Sequence, residues 1–396
     1  MEKKQKLLYM STIVLVGFAL SVFYHYMVGI YFGRGYPYNT FLFLPKDRWM
    51  DFIWPTRISA DPYHVAGAYF QNCPFLYKIA AFFSFFTPQT GRNIYLSAYV
   101  LAFSYVSFTQ FRLEDKTLSL QNAFILSFLT YPFLFAFDRA NFEIIVFFCL
   151  YLYIFLYDKH PSISAVFLGF AIALKAFPVI LAVLLLADRR YKEIAIAAAV
   201  SISATFLSYA TFPGGVGENI LLQLRNLQLY TQTYAVGNDG LYFGNSLFGA
   251  IKFISILVSS QMMSTVTYGI LVLVGLITIV IYVVFIEKKF WKRTAILVCA
   301  MNLLPQVSSD YKLLHIFIPV FLFINETEHE RMDWLYIVLF SLLLIPKDYY
   351  RLPLLPEASI SVLLNPLLML VLTILIMTTG LMRSFHGNPS ESGIQG

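Results

Sequence analysis

Long apolar segments alternate with short polar segments along almost the whole chain. The first, Leu7 to Tyr31, follows a basic N-terminus, exceeds the length of a signal-peptide core and lacks an A-x-A cleavage site. We therefore expect it to be a retained membrane span. The same pattern predicts spans near 7–32, 92–110, 118–136, 142–157, 162–175, 176–188, 193–211, 265–286, 294–306, 311–325, 333–346 and 358–381. The expected fold is an all-α polytopic transmembrane protein of about 12 spans.

Basic residues gather between these segments, which indicates the orientation of the chain. The clusters are Arg112/Lys116, Lys159, Arg189/Arg190/Lys192, Lys288/Lys289/Lys292/Arg293 and Arg383. The positive-inside bias places each of them, and both termini, on the cytoplasmic side. Two long outward loops remain, 33–91 and 212–264, in which 74–86 and 246–262 predict helices at the membrane interface. We expect a single membrane domain over residues 1–383 and a disordered tail over 384–396.

The composition excludes several classes of protein. The chain is 59% hydrophobic and 13% charged, so it is not a water-soluble globule. The net charge of +6 comes without a basic stripe, and no partner nucleic acid is expected. There is no P-loop, G-x-G-x-x-G, H-E-x-x-H or nucleotide-type D-x-D motif, and the six His and three Cys lack ligand spacing. We predict no metal and no cofactor, and we expect a monomer.

Some predicted spans are too short to cross roughly 30 Å of hydrocarbon at about 1.5 Å per residue. They lie on either side of Lys175, Asp310 and Pro346. A charged residue at such a turn is tolerated only where it faces protein or water. The pattern therefore predicts a cavity that opens outward.

Ionisable residues at the outward boundary are the candidates for function. They are Asp51, Asp61, Asp138, Arg139, Glu143, Lys175, Asp310, Lys312, Lys347, Asp348 and Arg351. Two interpretations of the 138–141 corner stay open. Asp138 and Arg139 neutralise each other in a polar corner or cap the helix of Asn141, or Arg139 offers its guanidinium to a phosphate.

Lys175 and Lys312 also allow either a structural role or the binding of a phosphate. Lys175 interrupts a long apolar stretch, and a buried ammonium without an anionic partner costs several kcal/mol. For Lys312 the alternative is a surface ion pair with Asp310. Together with Arg139, these cations predict a binding site for a phosphate or diphosphate carried on a lipid.

Sugar transfer from a lipid phosphate requires an anion site and one base, because the phosphate departs without being protonated. Two carboxylates of the first outward loop are candidates for this base. Asp51 lies between large apolar neighbours and is the preferred candidate. Asp61 is the runner-up, because an Asp-Pro pair also starts turns and caps helices.

Several landmarks resemble the GT-C superfamily of polyprenyl-phosphate-sugar-dependent glycosyltransferases, and more narrowly glycosyltransferase family 87. They are Asp-Phe at 51–52, Asp-Pro-Tyr at 61–63, Asp-Arg-x-Asn at 138–141, Lys-x-x-Pro at 175–178, Asn-Ser at 245–246 and Pro305 followed by Ser-x-Asp-Tyr-Lys at 308–312. The resemblance implies that an acid of the first outward loop, Asp51, is the base. Two departures concern the acceptor: Asn72-Cys73-Pro74-Phe75 replaces a Tyr-Pro-Pro-like stretch, and Tyr311 and His315 replace a His-His pair.

The resemblance predicts an inverting enzyme of the inner membrane with its active site on the extracytoplasmic side. It would transfer mannose or arabinofuranose from a polyprenyl phosphate to a lipid-linked or cell-envelope glycan. Residues expected to contact the sugar or acceptor are Tyr63, Asn141, Asn245, Asp310 and Tyr311. A transporter or flippase of a lipid-linked saccharide is the alternative, since intramembrane charges also line substrate pathways.

Overall fold

The structure is a computed structural model that describes residues 1–65, 72–258, 261, 263–349, 351–353 and 355–386. Over these residues the chain is helical apart from one short antiparallel hairpin, β1 (Arg351–Leu352) and β2 (Leu355–Ser359). The all-α fold class is confirmed. The predicted tail lies outside the described residues except for its first positions, which continue the last helix to His386.

The α-helices follow one another with few long gaps. In chain order they are α1 (Lys3–His25), α2 (Met50–Ile58), α3 (Pro62–Val65), α4 (Pro74–Phe83), α5 (Pro88–Gln110), α6 (Lys116–Phe128), α7 (Tyr131–Arg139), α8 (Glu143–Phe155), α9 (Pro161–Leu174), α10 (Ala182–Ala187), α11 (Tyr191–Ala210), α12 (Gly215–Tyr230), α13 (Leu247–Leu257), α14 (Thr265–Ile281), α15 (Phe290–Leu303), α16 (Phe317–Asn325), α17 (Asp333–Leu344) and α18 (Ser361–His386). Short 3₁₀ turns lie at Pro45–Asp47, Phe177–Leu181, Asp239–Leu241 and Asp310–Ile316, and π turns at Tyr26–Tyr31, Thr231–Val236 and Tyr282–Ile286.

Local chemistry sets many of the helix starts. Proline occupies one of the first two positions of α4, α5, α7 and α9, where a missing N–H costs no hydrogen bond. Elsewhere a side chain caps the helix. Asp115 accepts from the backbone N–H groups of Thr117 and Leu118 at 2.8 and 3.1 Å, and Ser246 accepts from that of Gly249 at 2.9 Å.

Each apolar segment predicted as a span contains a helix in the structure. Among the described residues, four helical segments are long and apolar enough to cross a membrane: Lys3–Tyr31, Tyr191–Ala210, Thr265–Ile286 and Ser361–Arg383. A fifth arises if α6 and α7, bent by 54° at their junction, form one span. The protein is therefore a multi-pass helical membrane protein, and the count of 12 crossings stays a prediction.

Three of the five predicted basic clusters, those at 189–192, 288–293 and Arg383, meet at one end of the molecule, which we call the basic end. Ion pairs join Arg190 to Asp158, Arg293 to Asp188, Lys289 and Lys292 to Glu330, and Arg383 to Glu287 and Glu330. Helix α9 leads from this end to Lys175, and α15 leads from it towards Ser309. Because α9 alone rises about 20 Å, the residues that follow these helices gather far from the basic end.

Candidate functional site

Residues from five parts of the chain enclose a cavity of about 290 Å³, close to the lower limit for a small-molecule site. We call it the main cavity. Its lining residues are Phe43, Asp51, Pro55, Asn72, Leu76, Phe135, Arg139, Asn141, Phe142, Lys175, Tyr230, Tyr234, Asp239, Gly240, Tyr242, Phe243, Ser309 and Tyr311. The structure thus brings together Asp51, Arg139, Asn141, Lys175 and Tyr311, all of which sequence analysis selected.

Asp51, in the first turn of α2, is held by two residues of the 138–141 corner. Arg139 donates to its carboxylate through Nη2 and, at 3.2 Å, through Nε, while Asn141 Nδ2 donates at 2.8 Å. Arg139 Nη1 also donates to the carbonyl of Asp47 at 2.8 Å. A carboxylate can accept about four hydrogen bonds, so one position on Asp51 remains for a ligand.

Asp138 does not pair with Arg139. Arg48 Nε donates to Asp138 Oδ1 at 3.0 Å, and the backbone N–H of Phe43 donates to Oδ2 at 3.2 Å. Asp138 and Arg139 therefore each form an ion pair with a residue of the first outward loop, Arg48 and Asp51, and not with each other. Both acids of this region serve instead to fix the first outward loop against the end of α7.

The corner is formed by an unusual backbone turn. Ala140, completely buried, has φ +49° and ends α7 in the left-handed conformation that usually belongs to glycine. Asn141 then starts α8, because its Oδ1 accepts from the backbone N–H of Glu143 at 2.9 Å. The same side chain therefore caps a helix and binds Asp51.

Left-handed backbone is concentrated around the cavity. Four described residues other than glycine have positive φ, namely Trp49, Ala140, Arg189 and Phe243. Trp49 precedes Asp51 by two positions and donates its backbone N–H to the carbonyl of Asp138 at 2.9 Å. Phe243 lines the cavity itself. Such strain costs about 1–3 kcal/mol per residue and is typical of functional sites.

Lys175 follows the last residue of α9 and reaches the cavity wall. Its Nζ donates to Asn72 Oδ1 at 2.6 Å. No ion pair joins it to a carboxylate within the parts of the chain that the structure describes. An ammonium that lines a cavity with one neutral partner retains donors and charge for an anion.

Lys312 lies behind the wall. It is 6% exposed, its Nζ lies 4.0 Å from the centre of the Phe177 ring, and it does not line the main cavity formed by the described residues. The predicted alternative, a surface pair with Asp310, is wrong because both residues are buried. The acid that interacts with Lys312 is the fully buried Glu143, whose Oε1 lies 2.7 Å from His315 Nε2.

The segment after α15 closes the cavity. Gly244 and Ser309 form an antiparallel bridge, the backbone N–H of Asn245 donates to the carbonyl of Ser308 at 2.8 Å, and that of Asp310 donates to the carbonyl of Phe243 at 2.9 Å. This pairing brings Ser309 and Tyr311 to the wall. Asn245 is fully buried in the pairing and is not part of the lining.

Three other predicted residues lie away from the lining. Asp310 is buried and accepts from Tyr131 Oη at 2.6 Å and from Asn365 Nδ2 at 3.0 Å. Tyr63 packs in a separate aromatic cluster with Tyr77 and Tyr209. Asp61 lies 2.6 Å from His64 Nδ1 and is not among the described residues that line the cavity.

One wall of the cavity, which the sequence did not predict, is formed by the end of α12 and the turns that follow. Tyr230 and Tyr234 stack with ring centres 4.6 Å apart. Burial, and after it the neighbouring Tyr234 and Asp51, raises the pKa of Tyr230. Asp239 adds a second carboxylate. The Asn-Asp-Gly run at 238–240 is a common turn sequence. It therefore gave no reason to select Asp239 as a candidate from the sequence.

Among the described residues, no group of three or more His, Cys, Asp or Glu side chains is placed to hold a metal ion. The fold and the cavity define a polytopic helical membrane protein with a charged site at the ends of its helices. The chain belongs to glycosyltransferase family 87, whose family model matches residues 70–308, more than half of its length. Comparisons with curated protein sequences and with solved structures give no significant match.

Membership of this family makes the protein a membrane glycosyltransferase that acts on a sugar donor and an acceptor. The matched region contains Arg139, Asn141, Lys175 and Asp239. It begins after Asp51, so the family match and the position of Asp51 in the cavity are independent observations.

Proposed function

We propose that the protein transfers a sugar, mannose or arabinofuranose, from a polyprenyl phosphate to a lipid-linked or cell-envelope glycan. One observation carries the proposal. A single cavity contains a carboxylate fixed by Arg139 and Asn141 and, separately, an ammonium that forms no ion pair with a carboxylate of the described chain. An acid and a cation with donors left for a phosphate are what this transfer requires.

In the proposed reaction, Asp51 is the base. The acceptor hydroxyl donates to the remaining position on its carboxylate, and the acceptor oxygen attacks the anomeric carbon. The bond from that carbon to the phosphate oxygen breaks, its electron pair stays on the phosphate, and the hydroxyl proton passes to Asp51. Direct displacement inverts the anomeric configuration. Arg139 and Asn141 fix the direction of the carboxylate.

Lys175 binds the donor phosphate in this proposal, and Lys312 adds positive charge from behind the wall. Glu143, the carboxylate near these two lysines, is fully buried and paired with His315, so cations outnumber carboxylates at this place. Arg139 uses three of its five N–H groups on Asp51 and Asp47, so two remain for the phosphate contact that the sequence predicts.

A second groove provides room for the lipid tail. It holds about 460 Å³ between α4, α9 and α11 and is almost entirely apolar, with Lys78 at its edge. Helix α4 separates the two spaces, since Leu76 faces the main cavity while Phe75 faces the groove. Phe170 of α9 lines the groove, and Lys175 follows the same helix into the cavity. In this proposal the lipid tail lies in the groove and the phosphate reaches Lys175 beyond the end of α9.

The test is a transfer assay with purified full-length protein, radiolabelled polyprenyl-phosphate mannose or arabinofuranose, and alkyl glycoside acceptors. Wild type should transfer sugar with inversion. Asp51→Asn should lower kcat by about 100-fold or more, the usual contribution of a general base. Asp61→Asn should retain activity.

If Asp61→Asn loses transfer activity and Asp51→Asn retains it, Asp61 is the base and not Asp51. A wild-type protein that binds the donor but only moves it across a vesicle membrane, with no glycosidic product, would establish the flippase alternative.

A further inference from the structure

The wall of the main cavity formed by the end of α12 and the turns that follow contains an acid with no assigned task. Asp239 lines the cavity, and neither a hydrogen bond nor an ion pair engages its carboxylate within the described ranges of the chain. Nor is it paired with Lys175, although both face the same space. The cavity therefore contains, besides the Asp51–Arg139 pair, a cation and an acid that form no ion pair with each other.

The turn that bears Asp239 is held firmly in place. Lys252 of α13, 3% exposed, donates its Nζ to the carbonyls of Ala235 at 3.1 Å, Val236 at 2.9 Å and Gly237. Burial lowers the pKa of Lys252 to about 8, against the opposing charge of Asp239. At Gly240 a Cβ atom would lie 2.3 Å from the carbonyl oxygen of Tyr234, so the backbone packs too closely for a side chain.

The neighbours of Asp239 are aromatic. The stacked pair Tyr230 and Tyr234 lies on the same wall, and Tyr242 completes it. Flat apolar faces beside a carboxylate suit a sugar ring, which presents C–H groups on its faces and hydroxyl donors at its edge. A phosphate, by contrast, is repelled by Asp239 and attracted by Lys175.

We propose that Asp239 and the Tyr230–Tyr234 pair form a sugar-binding subsite, in which the Asp239 carboxylate accepts hydrogen bonds from ring hydroxyls. The inference deepens the proposed glycosyl transfer and rests on it. The ring belongs either to the donor sugar or to the terminal sugar of the acceptor, and the two share the same chemistry.

Binding measurements test the subsite without relying on turnover. The probes are polyprenyl phosphate, a non-transferable phosphonate analogue of the polyprenyl-phosphate sugar, and an octyl glycoside, with mannose and arabinofuranose versions of the last two. For a donor subsite, wild type binds the phosphonate more tightly than the bare lipid phosphate, and Asp239→Asn removes this advantage. For an acceptor subsite, Asp239→Asn weakens octyl glycoside binding. Either loss should be about tenfold, as expected for hydrogen bonds to a charged group.

Asp158→Asn is the matched control, because Asp158 is an exposed acid paired with Arg190 at the basic end. It should leave every dissociation constant unchanged. Asp51→Asn should retain probe binding while losing kcat, whereas Asp239→Asn should raise one KM by about tenfold with a smaller loss of kcat.

Equal dissociation constants of wild type and Asp239→Asn for all probes would overturn the inference, even if Asp51→Asn is inactive. Absence of any sugar-dependent binding in wild type would also overturn it. If wild type transfers no sugar but binds a sugar probe through Asp239, the proposed function fails and the subsite stands.

Discussion

At the scale of single residues, the pair of Asp51 and Arg139 is the centre of the site. The two side chains are 16% and 9% exposed and are joined by two hydrogen bonds from one guanidinium. Removing one member of a largely buried ion pair costs more than removing both, because a lone charge remains in a poorly solvated place.

We therefore predict different results for single and double substitutions. Arg139→Met should lower the free energy of unfolding by about 3 kcal/mol, because the Asp51 carboxylate loses its cation. Adding Asp51→Asn should restore much of that stability. The double variant should nevertheless show no transfer activity, because it lacks the proposed base. Thermal unfolding and the transfer assay, run on the same preparations, measure the two effects. Equal stability of single and double variants would show that the pair is not coupled.

A second prediction concerns Lys175. Lys175→Met should raise the donor KM by about tenfold or more and weaken binding of bare polyprenyl phosphate to the same extent, because the phosphate loses a charge-assisted partner. Lys175→Arg should restore part of the affinity. Competition of unlabelled polyprenyl phosphate against the labelled donor is the measurement. Unchanged competition in Lys175→Met would remove Lys175 from the phosphate site.

Sequence alone identified Asp51, Arg139 and Lys175, because a charge inside an apolar segment is costly and therefore conspicuous. It could not show that Arg139 binds Asp51 instead of Asp138, since that contact joins positions 88 residues apart. Asp239 was not selected from the sequence, for the opposite reason. It lies in a polar turn of a polar loop, where another acid adds no visible cost.

At the scale of elements, α4, α9 and α11 form the groove assigned to the lipid tail. Ala204→Trp should fill part of it, because Ala204 lines the groove on α11. The expected result is a raised KM for long polyprenyl donors, by about tenfold, with little change for a short-chain donor that does not reach the groove. Ala199→Trp, on the same helix outside the groove lining, is the control. A similar effect of both variants on both donors would argue against this path.

The helices themselves were largely predictable. Apolar length and the positions of proline and basic residues placed α9 within one residue of its bounds, 161–174 against the expected 162–175. The turns inside the protein could be predicted less well from the sequence. The left-handed ending of α7 at Ala140 carries no glycine or asparagine signal, and the π turns depend on packing that the local sequence does not encode.

At the scale of the whole molecule, charge is divided between two ends. Ion pairs join three basic clusters at the basic end, and the main cavity lies where the helices α9 and α15 leaving that end terminate. Under the positive-inside bias, the cavity faces away from the cytoplasm. This side of the active site is a proposal that labelling can decide.

In a cysteine-free background, Asn238→Cys and Lys159→Cys should behave differently in intact cells. Asn238 is exposed beside Asp239, while Lys159 is exposed next to the Asp158–Arg190 pair. A membrane-impermeant maleimide should label only Asn238→Cys, and permeabilisation should allow labelling of Lys159→Cys. Labelling of Lys159→Cys alone in intact cells would reverse the proposed orientation.

The mutual neutralisation of Asp51 and Arg139 also constrains how such proteins diverge. Because either change alone leaves an uncompensated charge, drift at one position should be followed by change at the other. Descendants that have abandoned this chemistry should therefore have lost both residues together, and inactive homologues can be recognised by that joint replacement.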